Sequence, residues 1–164
     1  MKNSAENNKF IFVTGFFGAP VKEIAEKIAA EKHARLISLD DEIEKADGRS
    51  VLRICMIMGE HEYRNKEYEM LQKLTADAGE TRTDSDVSVV VCSDGVLLDD
   101  MSAEIIKNHD LVIVGRDMSC DELWKNAESV SGSCHAFMTL PDMAARHTAF
   151  NELYERQTQL FQRF

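Results

Sequence analysis

The stretch Ile11 to Ile24, IFVTGFFGAPVKEI, has residue types and spacing suited to holding phosphate. An apolar run leads into Gly15 and Gly18, and helical periodicity begins at Lys22. A strand, a glycine turn and a helix in that order direct backbone N–H groups at an anion, and the helix dipole favours negative charge there. The consensus G-x-x-x-x-G-K-[ST] adds a lysine for the β- and γ-phosphates and a hydroxyl for Mg2+. Counted from Gly15, those last three positions hold Pro20, Val21 and Lys22. Proline removes an N–H donor and fixes φ, valine carries no charge, and an ammonium at the metal-ligand position repels Mg2+. The phosphate-loop candidates are therefore Gly15, Gly18, Ala19 and Lys22. Lys22 lies one residue late, about 100° of helix rotation from the lysine position.

The elements that must position this loop follow from hydrophobic patterning. Apolar runs at Lys9 to Gly15, Ala34 to Asp40, Ser88 to Gly95 and Asp110 to Gly115 are continuous rather than alternating, as in strands covered on both faces. Helical segments are expected at Val21 to Lys32, Asp41 to Ala46, Ser50 to Met58, Glu60 to Ala76, Met101 to Lys107, Ser119 to Ala127 and Phe150 to Phe161. Strand and helix alternate, which predicts an α/β fold with helices covering a parallel sheet. Polar stretches at Ala76 to Asp86 and Asn126 to Ala136 predict surface loops.

With 164 residues, 44% of them hydrophobic, one domain spanning 1–164 is expected. A formal charge of −10 argues against nucleic acid, which is gripped mainly by lysine and arginine. It does not exclude ATP, which backbone N–H groups and a metal bind locally. No apolar run approaches membrane-spanning length and the N-terminus lacks a signal-like segment, so no membrane partner and a cytoplasmic location are expected. Cys55, Cys92, Cys120 and Cys134 form no C-x-x-C pair, and reduced thiols are the expectation. Cys134-His135 has no second pair at ligand spacing, so no metal site is read.

A longer pattern runs through LISLDDEIEKADGRS and GEHEYRNKEYEML. Asp40, Ile43-Glu44, Gly48, Gly59-Glu60, Tyr63-Arg64, Glu67 and Leu71 are spaced as in shikimate kinases, small-molecule kinases of the P-loop class, and the region Lys9 to Leu98 resembles that family. The resemblance implies a shikimate-kinase-like fold, a P-loop NTPase-like three-layer α/β/α arrangement, and a kinase, or transferase, activity. It also assigns the acceptor site. Asp40 would accept hydrogen bonds from ring hydroxyls, Arg64 would clamp the acceptor's carboxylate in bidentate fashion, and Gly95 would close a glycine turn that here reads Ser93-Asp94-Gly95. Arg146 would match a further family arginine. Asp94 places a negative charge where the family has glycine. Taken without the resemblance, Asp40 also reads as the N-cap of the next helix, and Arg64 as an i,i+3 or i,i+4 ion-pair partner of Glu67 or Glu60.

On the nucleotide side the family's lysine, metal hydroxyl and loop glycine are all replaced, Ser38 stands where an acid helps organise the metal, and Asn126 to Thr139 contains no arginine. Losing one such contact costs on the order of 10²–10³ in rate. The expectation is a shikimate-kinase-like protein with a degenerate nucleotide site, inactive or very weak as a kinase, with no cofactor and no assigned catalytic residue, that keeps a pocket for a small hydroxy acid or anion. The alternative is an active enzyme transferring phosphate from ATP with Mg2+, with Lys22, Arg116 or Arg49 supplying the missing charge. A third reading is a domain that acts only by docking on a protein partner.

Overall fold

A computed structural model describes residues 10–81, 86–129 and 134–164, the side chains of 77–81 excepted. The elements run β1 (Phe10–Gly15), α1 (Val21–Lys32), β2 (Arg35–Ser38), α2 (Leu39–Asp47), α3 (Val51–Met58), α4 (Glu60–Thr81), β3 (Ser88–Val91), α5 (Asp100–Lys107), β4 (Asp110–Val114), α6 (Cys120–Glu128) and α7 (Met143–Phe161). Short 3-10 turns occupy Val96–Leu98 and Ala136–Thr139. The four strands form one parallel sheet in the order β2-β3-β1-β4.

β1 lies inside the sheet and every residue of it is buried. Its side chains alternate between two cores, as the period of two in a strand requires. Ile11 and Val13 meet Ala25 and Ala29 of α1 on one face. Phe10 and Phe12 meet the larger core on the other, with Leu71 of α4, Ile106 of α5, Leu123 of α6 and Phe161 of α7. The three-layer α/β/α expectation holds. No helix among the described residues is long and apolar enough to cross a membrane.

Element boundaries differ from the sequence reading in ways that matter for the site. β2 stops at Ser38, whose side chain accepts from the Asp41 amide at 3.3 Å as the N-cap of α2. Asp40 therefore sits in the first helical turn and is not the cap. Ser38 has this structural task at the position where a metal-organising acid was sought. α4 continues to Thr81, so the loop expected from Ala76 is helical in its first part, and residues 82–85 lie outside the described residues. α7 begins at Met143 behind the Asp142 cap, well before Phe150. The second expected loop, Asn126 to Ala136, is helical up to Glu128, and 130–133 lie outside the described residues.

Candidate functional site

β1 and α1 deliver the loop Gly15 to Lys22 to the carboxyl edge of the sheet. Gly18 has φ +94°, and a Cβ there would lie 2.1 Å from the Leu123 carbonyl of α6, so the position demands glycine for both conformation and space. Four of the loop amides are already committed. Phe16 N–H donates to the Val114 carbonyl (3.1 Å), Ala19 N–H to the Phe16 carbonyl (2.9 Å) and Val21 N–H to the Ala19 carbonyl (2.9 Å). Phe17 N–H donates to Gln157 Oε1 of α7 at 3.0 Å, and Pro20 has no N–H.

The side chains of Phe16 and Phe17 turn toward α7. Phe16 packs on Tyr154 and Phe161 with ring centroids 5.6 and 4.9 Å away, and Phe17 lies 4.5 Å from His135 and 6.1 Å from Phe150. Burying two such rings stabilises this arrangement by roughly 1.5–3 kcal/mol each. Lys22 points into solvent, its side chain 74% exposed and 4.0 Å from Glu26. A cavity of about 480 Å³ borders the loop, and among the described residues its walls carry Glu23 and Asp94 but no lysine or arginine. Arg49 is engaged by Asp47 at 2.6 Å, and Arg116 is exposed and outside that wall.

A second cavity of about 430 Å³ opens between α2, α3, α4 and the turn after β3, lined in part by Asp40, Glu60, Tyr63, Arg64, Ser93 and His135. Asp40 accepts a short hydrogen bond from the Tyr63 hydroxyl. Burial pushes its carboxyl up from the usual range, with the Tyr63 hydroxyl pulling the other way. Arg64 is buried, not a surface ion-pair partner. Its Nη1 donates to Glu67 Oε1 (2.5 Å) and Ser93 Oγ (2.8 Å), and its Nη2 to Glu60 Oε1 (2.9 Å). Ser93 Oγ in turn donates to Glu67 Oε2 at 2.6 Å. Glu67 is fully buried. That burial raises its carboxyl to about 7, although the charge of Arg64 and the Ser93 hydroxyl oppose the rise. Gly95 lies against the guanidinium, where a Cβ would stand 2.1 Å from Nη2.

The structure thus sets Asp40 and Arg64 in the lining of one cavity, with Gly95 behind the guanidinium, and Gly18 and Ala19 in the lining of the neighbouring one, while Gly15 packs against Val114 and Val21. Arg146 is on α7, outside the residues lining either cavity. Asp94, read from the sequence as a charge beside the acceptor, lines both cavities, and it is held by His135 and Gln157, to which the sequence reading gave no such role. Asp94 Oδ2 accepts from Gln157 Nε2 (2.7 Å) and lies 2.7 Å from His135 Nε2. Burial alone would raise the Asp94 carboxyl, but His135 and Gln157 hold it below its usual range, and despite burial the partnership raises His135. Asp94 is accordingly neutralised within the protein and does not face the cavity as a lone charge. Gln157 is a mid-helix glutamine with no motif around it, so no local signal announces its two-sided role. Among the described residues no group of three or more His, Cys, Asp or Glu is arranged to hold a metal ion.

The family model "Shikimate kinase" matches residues 22–160. The chain is 34% identical over 97 residues to a bifunctional shikimate kinase/3-dehydroquinate synthase of Thermotoga maritima, covering 59% of this chain and 18% of that protein. It is 32% identical over 108 residues to a shikimate kinase of Chlorobaculum tepidum, covering 66% and 52%. The chain thus spans about half or less of the length of these curated relatives. Among solved structures, a shikimate kinase from Acinetobacter baumannii in complex with shikimate superposes with TM-score 0.77 at 17% identity, over 96% of this chain and 80% of that one. One from Bacteroides thetaiotaomicron gives 0.73 at 18% identity, over 93% and 81%. The structural likeness carries the fold, and the match to the family model over most of the sequence carries the lineage: the chain belongs to the shikimate kinase family.

Proposed function

We propose that this member of the family is inactive or very weak as a phosphotransferase and retains the cavity around Asp40 and Arg64 as a binding site for a small hydroxy acid or anion. Shikimate kinases use ATP and Mg2+. The residues present here do not fit that pair. The observation that carries the reading is the commitment of the Phe16, Phe17, Ala19 and Val21 amides to acceptors inside the protein, one of them the Gln157 side chain. An incoming triphosphate would have to break those bonds and would meet Glu23 on the cavity wall in place of a lysine. Anions are held by open N–H groups and positive charge; here four of the loop's amides are committed, and no lysine or arginine is among the described residues lining the cavity. That the family match begins at Lys22, after the loop, agrees with this divergence.

The acceptor side is better kept. Glu60, half-exposed on its side chain, occupies Arg64 Nη2. A ligand carboxylate displaces it at small cost, because an exposed carboxylate regains its water shell. Glu67 stays and holds the guanidinium in orientation.

Thermal unfolding with and without MgATP tests the nucleotide side. Saturation at 100 times Kd would stabilise by about 2.7 kcal/mol, and we expect no shift. A clear ATP-dependent rise, accompanied by shikimate-dependent ADP release that Arg64→Met abolishes, would overturn the proposal. Titration with shikimate alone tests the acceptor side, where binding weakened by Arg64→Met is expected.

A further inference from the structure

β4 is one edge of the sheet, and among the described residues β1 is its only strand neighbour. Peptide direction alternates along a strand, so every second residue of β4 turns both its N–H and its C=O to β1. The Phe16 N–H donates to the Val114 carbonyl at 3.1 Å. Val114, Val112 and Asp110 therefore face β1, and Leu111 and Ile113 direct their N–H and C=O away from it, at the edge. Leu111, Val112 and Ile113 are half-exposed, and no charge or proline interrupts the run from Leu111 to Val114. Sheet edges are commonly blunted by charge or shortness, as the opposite edge is: β2 has four residues and opens on the exposed Arg35. The β4 run is instead bracketed by charge, with exposed Asp110 before it and exposed Arg116 after it.

We infer that the β4 edge is a docking surface for a second copy of this chain, joined edge to edge through an antiparallel β4–β4 seam with its two-fold axis at Ile113. What selects this occupant is that the edge is complementary to itself. An antiparallel copy centred on Ile113 sets Ile113 opposite Ile113, Leu111 opposite Gly115, Val112 opposite Val114 and Asp110 opposite Arg116. The two Ile113 residues exchange N–H···O=C bonds, and the Leu111 carbonyl accepts from the Gly115 N–H of the second copy. Val112 and Val114 share the face that packs on α1, so their side chains meet across the seam as an apolar pair. Each carboxylate faces a guanidinium, and the symmetry makes that pair twice. The neighbouring antiparallel registers, centred on Leu111 or Val112, put Asp110 opposite a valine and lose both ion pairs. The seam lies at the sheet edge, away from both cavities, so the dimer leaves the acceptor site open.

Sedimentation equilibrium of the full chain, from micromolar to near-millimolar concentration, reads the association. A monomer–dimer equilibrium is expected. Asp110→Arg alone and Arg116→Asp alone should each weaken it about tenfold, because two like-charge contacts replace two attractive ones. An equimolar mixture of these two variants should associate as tightly as the wild type, since every charge contact in the mixed dimer again sets a cation against an anion. Ile113→Pro removes an N–H that β1 does not use and should abolish the dimer while circular dichroism shows the fold retained. If that variant does not fold, the charge variants, altered only at exposed positions, decide the matter. A chain that stays monomeric throughout, single charge variants that dimerise like the wild type, or a mixture no tighter than either variant alone would each overturn the inference.

Discussion

Replacing Arg64 with methionine probes the charge arrangement of the acceptor cavity. Glu67 has no solvent exposure, and its carboxyl is held at about 7 with Arg64 and Ser93 bound to it. Because that value lies above the unfolded one, the contribution of Glu67 to stability is fully present below the ordinary carboxylate range. It is lost as pH rises toward 7, by about 3 kcal/mol in the wild type. Arg64→Met removes the cation that makes ionised Glu67 tolerable, so the carboxyl moves higher still. At pH 8 the wild type has ionised Glu67 against Arg64, whereas the variant must either retain the proton or bury a bare carboxylate. The expected loss there is about 3–5 kcal/mol, the usual result of breaking a buried pair. At pH 5 Glu67 is protonated in both proteins, and the loss falls to the hydrogen bonds and packing of the guanidinium, about 1–3 kcal/mol. Between pH 7 and 8 the folding constants of the two proteins should diverge by about tenfold. Urea unfolding followed by the fluorescence of Trp124, the single tryptophan, measures this at pH 5, 6, 7 and 8. Adding Glu67→Gln should restore more than half of the pH 8 loss, since no charge is then left stranded. A difference that stays constant from pH 5 to 8, or falls below about 1 kcal/mol at pH 8, refutes the reasoning.

Gly95→Ala should destabilise by about 1–3 kcal/mol, because the added methyl meets Arg64 Nη2 at 2.1 Å while the backbone, at φ −105°, tolerates alanine. The same change in Arg64→Met should cost far less, and equal cost in both backgrounds would show that the clash is not the cause. Gln157→Leu strands the Phe17 amide and one side of Asp94, with an expected loss of about 2–3 kcal/mol by denaturant unfolding; a loss under about 0.5 kcal/mol would dispose of its bridging role. The His135–Asp94 pair is strongest with His135 protonated and Asp94 ionised. His135 is raised, so its share of stability is present at acid pH and lost as pH climbs through its folded value. Asp94 is lowered, so its share is lost only when pH falls below the ordinary carboxylate range. The Tm gap between wild type and His135→Asn should accordingly be larger at pH 5.5 than at pH 8.5, and an unchanged gap would count against the pairing.

Much of this architecture was written in local sequence. Continuous apolar runs such as FIFV and SVVV need cover on both faces, and Ser50, Asp99 and Ser119 cap the helices that follow them through their own side chains. The same short-range reasoning placed the β1–loop–α1 unit and found Pro20, Val21 and Lys22 at the last three consensus positions, and family spacing pointed to Asp40 and Arg64, which line one cavity. It missed the extra turns of α4 and α7, because helix ends are fixed by packing and capping more than by propensity. Only the tertiary structure decided where the loop's N–H groups go, since the acceptor for Phe17 lies 140 residues away on α7. It alone joined Asp94 to His135 and Gln157, which are 41 and 63 residues distant. A side chain's partner across such separations depends on how whole helices dock. Periodicity along the chain carries the elements and their buried faces, while the ownership of each buried hydrogen bond is settled when those faces meet.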